Sequence, residues 1–201
     1  RKWAYEVKGI PENQAQIIVC ENNFHGRTTT IISFSNDETA RKSFGPFTSG
    51  FIKIPYDDIE ALQNALQSTP NIAGFLVEPI QGEAGVYVPS DGYLAKAKVL
   101  CEQHNALFIA DEVQSGMGRT GRLFGYEHAG IEPDIMTLGK GIGGGVPLAA
   151  LLAREAACCF EPGDQGGTYN GNPLMTAVGA AVLEALLAPG FLQGVAARGE
   201  Q

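Results

Sequence analysis

Several short apolar runs, each ending at a charged residue, most strongly constrain the fold of this chain. The runs at 72–77, 106–110 and 135–138 stop close to Glu78, Asp111 and Lys140. A stretch with helical spacing separates the first two runs, and alternating strands and helices are typical of a parallel sheet. Ligands bind at the carboxyl ends of such strands. Two carboxylates and an amine are therefore expected to converge at one edge of the sheet.

The remaining elements are predicted from periodicity and from turn residues. The stretch from Thr39 to Gly50 carries a Gly-Pro pair and scattered polar residues, so it predicts a long surface excursion. Asn172 and Pro173 suit the cap and the first position of a late helix. Strands are also predicted at 16–20 and 147–153, and helices at 57–69, 91–104 and 172–187.

Both ends of the sequence give the impression of a cut chain. Residues 1–9 are typical of the tail of a helix closed by Gly9, and residues 194–201 stop without completing an element. No repeat or linker interrupts the chain. We therefore expect residues 1–201 to be a single piece of one α/β domain that is truncated at both ends.

Composition excludes some classes of partner. The chain has 14 Lys and Arg against 22 Asp and Glu, and its formal charge of -8 disfavours binding to nucleic acid or to an anionic membrane. No apolar run reaches the roughly 20 residues of a membrane span, and we expect a cytoplasmic location. The four cysteines have no disulfide or zinc spacing, so reduced thiols are predicted.

Lys140 is the candidate nucleophile. It follows a predicted strand and is flanked by Gly139 and Gly141, which permit close approach of the backbone to a ligand. Partial burial would lower its pKa and free a neutral amine for attack on a carbonyl group. Position alone would favour an ordinary lysine in a glycine loop, and the order of a phosphate-binding P-loop is absent.

Asp111 is the candidate partner of a cation. It follows an apolar run, so its carboxylate is poorly hydrated and requires a positive group or a metal. A protonated pyridine nitrogen would meet this requirement, and a helix cap or an ion pair would do so as well. A metal is the weaker alternative, because His25, His104 and His128 lack ligand spacing.

Five segments together resemble the class III, ornithine/acetylornithine aminotransferase family of enzymes that use pyridoxal 5'-phosphate (PLP). The match extends over nearly the whole chain, and the segments occur in the family's order. They are Asn23-Phe24-His25-Gly26-Arg27-Thr28, Val77-Glu78-Pro79-Ile80-Gln81-Gly82-Glu83, Asp111-Glu112-Val113-Gln114-Ser115-Gly116, Leu138-Gly139-Lys140-Gly141 and Gly167-Thr168-Tyr169-Asn170-Gly171-Asn172-Pro173.

The resemblance implies a fold and a set of cofactor contacts. The fold is the large domain of a fold type I PLP-dependent transferase, with a mostly parallel sheet and helices on both faces. By similarity, Lys140 binds PLP covalently and later transfers protons as the general acid and base. Asp111 pairs with the pyridine nitrogen, Gln114 contacts the phenolic oxygen, and Phe24 stacks on the ring, although Phe24 alone would be taken for a core residue.

The resemblance also implies substrate contacts and a dimer. Arg27 matches an arginine that binds a substrate carboxylate, where sequence alone would favour a surface ion pair. Glu83 matches a glutamate near the substrate pocket, and Glu78 a more distant carboxylate. Thr168 matches a threonine that reaches the PLP phosphate of the neighbouring subunit, which implies a homodimer with shared sites. Gly167 stands where relatives often carry serine or threonine.

The implied reaction transfers the terminal amino group of ornithine or N-acetylornithine to 2-oxoglutarate, as part of arginine metabolism. The family's phosphate-binding loop would precede Arg1, and its C-terminal domain would follow the last residue. We therefore expect weak PLP binding from these 201 residues alone. Two alternatives stay open: another PLP reaction, such as that of an aminomutase or a decarboxylase, and a folded piece without catalytic activity.

Overall fold

A six-stranded sheet forms the centre of the structure, a computed structural model that describes residues 1–200. The strand order is β2-β1-β3-β4-β5-β6; the first five strands run parallel, and β6 is antiparallel to β5. The expected mostly parallel sheet is therefore confirmed. The strands are β1 (Gln16–Cys20), β2 (Phe51–Ile54), β3 (Ile72–Val77), β4 (Leu107–Asp111), β5 (Ile135–Leu138) and β6 (Ala150–Ala153).

Helices connect and cover the strands, and capping residues fix where the main ones begin. The Asp58 carboxylate accepts a hydrogen bond from the Ala61 amide, and the Asn172 side chain accepts one from the Met175 amide. The helices are α1 (Lys2–Glu6), α2 (Thr29–Ile32), α3 (Glu38–Arg41), α4 (Ile59–Ser68), α5 (Tyr93–Gln103), α6 (Pro173–Leu187) and α7 (Phe191–Gly199), with short 3-10 helices at Gly125–Ala129, Lys140–Gly143 and Glu155–Ala157.

Helices lie on both faces of the sheet, because alternate residues of each strand point to opposite sides. On β4, Phe108 belongs to the main core with α4 and α5, whereas its neighbour Leu107 packs against a second cluster that contains Trp3 of α1. The main core face is the more extensively covered one. On the α1 face, a cavity of about 340 Å³ lies between Trp3 and strand residues such as Leu107.

Several elements differ from the sequence-based expectations. Strand β2 was not predicted, and the predicted strand at 147–153 forms only over Ala150–Ala153. The surface excursion between Thr39 and Gly50 includes part of helix α3, and residues 191–199 form helix α7, which was not predicted. The other predicted strands and helices are confirmed to within a few residues. The elements in the interior of the domain were therefore predicted more accurately than those at its edges.

Helix α6 is strongly apolar but largely exposed. Leu174 is 68% exposed and Leu187 is 59% exposed, while Gly179 and Leu186 are the residues it buries. No single helix within residues 1–200 has the length and apolar character needed to cross a membrane; α6 and α7 reach them jointly, with a bend of 69° between them.

Candidate active site

The three charged residues singled out at strand ends do meet at one edge of the sheet. Glu78 directly follows β3, Asp111 is the last residue of β4, and Lys140 follows β5 after a single glycine. All three line a cavity of about 90 Å³. The other lining residues are Phe24, His25, Gly26, Val113 and Gln114, which the sequence places after β1 and after β4.

Lys140 is held at this edge by a strained backbone and by two polar neighbours. Its φ of 44° lies in the left-handed region, which non-glycine residues adopt at a cost of about 1–3 kcal/mol and mostly at functional sites. Its Nζ donates a hydrogen bond to Oε1 of Gln114 at 2.5 Å and lies 3.9 Å from Oε1 of Glu83. The side chain is about half exposed, so the amine is open to an incoming ligand.

Asp111 is oriented by two partners, one of which the sequence analysis missed. Its Oδ1 accepts a hydrogen bond from the Val113 amide at 3.0 Å, and its Oδ2 lies 2.6 Å from Nδ1 of His25. Both side chains are almost fully buried. Since a carboxylate only accepts hydrogen bonds, Nδ1 of His25 carries the proton. The sequence analysis considered His25 only as a metal ligand; its place beside Phe24 in the family segment was the available signal.

The opposite nitrogen of His25 is unusual. Among residues 1–200, Nε2 is buried and has no hydrogen-bond partner. His25 therefore orients the carboxylate of Asp111 through Nδ1.

Glu78 connects the strand ends to the segment after β1. Its Oε2 accepts a hydrogen bond from the backbone amide of Phe24 at 3.1 Å, and this contact positions the aromatic ring over the cavity. Burial raises the pKa of Glu78, while the nearby His25 and the amides of Phe24 and Gly82 oppose that rise. From the sequence, Glu78 was expected only to be a carboxylate at some distance from the substrate. In the structure, it supports Phe24.

Glu112 is a second buried carboxylate that the sequence analysis did not single out. It is fully buried and accepts hydrogen bonds from Ser115 Oγ (2.6 Å) and from the amides of Gly125 (2.9 Å) and Tyr126 (2.8 Å). Burial raises its pKa, and these three donors oppose the rise. Glu112 thereby fixes the turn that carries its neighbours Asp111 and Gln114.

Three predicted site residues lie outside the cavity lining. Arg27 is exposed, with its guanidinium 5.8 Å from the centre of the Phe24 ring and 3.7 Å from Oδ2 of Asp37. Glu83 is exposed beside Lys140. Thr168 lies in an exposed segment before α6, away from the cavity-lining residues. Arg27 and Glu83 thus border the site, whereas Thr168 is not brought to it within this chain.

Comparison with known proteins identifies the family of the chain. The family model described as Aminotransferase class-III matches residues 1–201. The chain belongs to the class III aminotransferase family. Ornithine aminotransferase from Brevibacillus brevis is 52% identical over 96% of the chain and 48% of its own length. The chain therefore spans about half the length of the curated relatives it matches.

Two solved structures of the class III family show the likeness in three dimensions. One is ornithine aminotransferase from Toxoplasma gondii, with PLP partly occupying its active site; it has a TM-score of 0.89 and 49% identity, and covers 92% of this chain and 44% of its own. The other is acetylornithine aminotransferase from Elizabethkingia anophelis, with a TM-score of 0.77 and 56% identity, over 92% of this chain and 45% of its own. The expected fold type I architecture is thereby confirmed.

Class III aminotransferases depend on PLP, and the residues of the site fit the ring of that cofactor. Phe24 offers a flat aromatic surface, Asp111 a buried carboxylate held in place by His25, and Lys140 an accessible amine. Oε1 of Gln114 already accepts from Lys140, which leaves its amide N–H groups free to donate. These residues suit a flat heterocycle with a positive charge for Asp111, a carbonyl group for the amine of Lys140, and an oxygen acceptor for the amide of Gln114.

The space beside the site extends beyond the small cavity. A second cavity of about 420 Å³ shares His25, Asp111 and Val113 with the first, and strand residues such as Leu76 and Thr137 line it further along the sheet. Asp111 therefore faces both spaces. Together they reach the range of several hundred Å³ that small-molecule sites usually occupy.

Proposed function

We propose that this chain is the cofactor-binding part of a PLP-dependent aminotransferase that transfers the terminal amino group of ornithine to 2-oxoglutarate. The single observation that carries the proposal is the convergence of Lys140, Gln114 and Asp111 at adjacent strand ends. PLP supplies a conjugated ring that withdraws electrons from the substrate carbon bearing the amine.

The residues of the site would divide the remaining work. Lys140 holds the cofactor through its amine and, once released by substrate, moves the proton at the substrate carbon that bears the amine. Asp111 keeps a proton on the pyridine nitrogen, because its buried carboxylate strongly favours a positive partner. Phe24 and Gln114 set the ring plane and its rotation. These roles follow from the family likeness and from the distances given above.

Substrate recognition would fall to the bordering residues. Arg27 is exposed, and its contacts with Asp37 at 3.7 Å and with the Phe24 ring at 5.8 Å are weak, so its planar guanidinium is available to a carboxylate. Glu83, 3.9 Å from Nζ of Lys140, places a negative charge where an amino group would enter. A substrate with a carboxylate at one end and an amine at the other fits this polarity.

N-acetylornithine is the second candidate donor. The acetylornithine aminotransferase from E. anophelis shares 56% identity with this chain, compared with 49% for the ornithine aminotransferase from T. gondii. The two donors differ at the α-amino group, which N-acetylornithine carries in acetylated form. Comparing kcat/KM for ornithine and for N-acetylornithine, with 2-oxoglutarate as acceptor, decides between them.

The cofactor assignment is tested by adding PLP and recording the absorbance spectrum. The parent protein should develop the band of a lysine-bound cofactor, and Lys140→Ala should lack it. Lys96→Ala is the matched control, since Lys96 is an exposed lysine on α5, and it should retain the band. The absence of a band in the parent, or its persistence in Lys140→Ala, would refute the assignment.

We also propose a homodimer in which Thr168 of one subunit contacts the cofactor phosphate of the other. Its support is the exposed position of Thr168 away from the cavity of its own chain, together with the family segment that contains it. Cytoplasmic location, a role in arginine metabolism and the extent of the domain stay predictions.

A further inference from the structure

Gly82 lies directly against the amide of Gln114. A methyl group built on Gly82 would overlap Nε2 and Cδ of Gln114 and would come within 3.0 Å of its Oε1. These three are the nearest atoms such a group would meet, and all belong to one side chain. The absence of a side chain at position 82 is therefore what leaves room for the amide of Gln114.

The same amide contacts Lys140 on its other side. Nζ of Lys140 donates to Oε1 of Gln114 at 2.5 Å, so the amide is enclosed between the glycine and the lysine. Gln114 is otherwise exposed, and its side chain has three rotatable torsions. Close packing against Gly82 is the steric restraint that the structure provides for this side chain.

The backbone around Gly82 is fixed more firmly than Gln114. Its carbonyl accepts hydrogen bonds from the amides of Gly85 and Val86, both at 3.1 Å. The preceding Gln81 pairs with Tyr87 through two backbone hydrogen bonds, and its side chain donates to the Glu21 carbonyl at 2.9 Å. A methyl group at position 82 would consequently displace the side-chain amide of Gln114 rather than the hairpin formed by residues 81–87.

Backbone conformation does not require glycine at this position. Gly82 is not among the residues with a positive φ, unlike Gly85 with its φ of 129°. An alanine would therefore fit the backbone at position 82, and the nearest atoms that its methyl group would meet belong to Gln114. The glycine is instead needed to leave space for the Gln114 side chain, which lies in the turn after β4.

We propose that Gly82 is a positioning residue that acts through Gln114 on Lys140. Because Gly82 leaves space for the Gln114 amide, it determines the direction from which that amide contacts the ε-amine of Lys140. The idea rests on the proposed function, since Lys140 is the cofactor-binding lysine there. It adds a contact between the hairpin that carries Glu83 and the reacting amine.

The first test needs no cofactor. The side-chain amide resonances of Gln114 are identified in NMR spectra by their loss in Gln114→Ala. They should shift in Gly82→Ala and stay unchanged in Gly194→Ala, a control glycine on α7 with open space around it and no positive φ. Unchanged Gln114 resonances in Gly82→Ala would overturn the proposal and leave the proposed function intact.

The second test uses the PLP-loaded protein. The pH midpoint of the lysine-bound cofactor's absorbance should shift in the same direction in Gly82→Ala and Gln114→Ala. The double variant Gly82→Ala/Gln114→Ala should match Gln114→Ala alone, because nothing is left to displace. An additional shift in the double variant would contradict the proposal. If Gly82→Ala folds poorly, the double variant should fold normally; an equally poor double variant would also contradict it.

Discussion

His25 supports Asp111 through a buried contact at the edge of the site. Removing the ring leaves the Asp111 carboxylate without its 2.6 Å partner. Hydrogen bonds to charged groups contribute about 1.5–3 kcal/mol, so His25→Ala should lower kcat/KM by about tenfold to a hundredfold. His128→Ala is the control, since its ring pairs with Thr120 near the surface. Equal activity of the two variants would show that Asp111 is held by other means.

Glu112 predicts a dependence of stability on pH. Burial raises its pKa, so over the range between the unfolded and folded values the folded chain retains a proton that the unfolded chain has lost. The free energy of unfolding should therefore decrease as pH rises through that range. Glu112→Gln removes this contribution, so the free energy of unfolding of the parent minus that of the variant should decrease as pH rises. Denaturant melts at several pH values measure this quantity, and an increase with pH would contradict the stated cause.

Residue patterns identified the ionisable groups of the site better than their supports. Lys140 and Asp111 were recognisable because each follows an apolar run, and the five segments added Phe24 and Gln114. His25 and Glu112 were not assigned because a buried side chain's hydrogen bonds join distant parts of the chain. Glu112, for example, binds the amides of Gly125 and Tyr126. Such contacts exist only once the strands are in place.

Among the elements, the buried strands were predicted within a residue or so, whereas the edge strand β2 was missed and the edge strand β6 was predicted too long. Strands β3 and β4 lie in the middle of the sheet and are covered by helices, so their sequences are continuous apolar runs. Such runs are easily recognised. The outermost strand β2 has an exposed residue within only four positions, and β6 has two exposed leucines. The direction of β6 could not be predicted, because periodicity does not distinguish parallel from antiparallel pairing.

A buried ion pair connects helix α5 to the strand pair that presents Asp111. Nζ of Lys98 lies 2.9 Å from both carboxylate oxygens of Asp134, which also accepts the Phe108 amide at 2.8 Å. Lys98→Ala leaves that carboxylate without its counterion and should destabilise the fold by about 3–5 kcal/mol. Glu102→Ala, which removes an exposed partner of Lys98, should cost about 1 kcal/mol or less. Urea unfolding of the two variants measures the difference; similar costs would contradict the role of burial.

At the scale of the whole molecule, the account predicts that sites are completed across a dimer. Thr168→Ala should raise the dissociation constant of PLP by about tenfold, the effect of one lost hydrogen bond to a charged group, without dissociating the dimer. Light scattering gives the subunit number and fluorescence titration gives the affinity. A monomeric protein with full PLP affinity would contradict the shared site, since Thr168 does not line the cavity of its own chain.

Chemical trapping shows directly whether Lys140 is the residue to which the cofactor binds. PLP is added, the C=N bond between the cofactor and the lysine is reduced with borohydride, and the protein is digested with trypsin. Trypsin does not cleave after a modified Lys140, so one labelled peptide spanning residues 123–154 is expected. A label on another lysine, or complete cleavage after Lys140 with no labelled peptide, would contradict it.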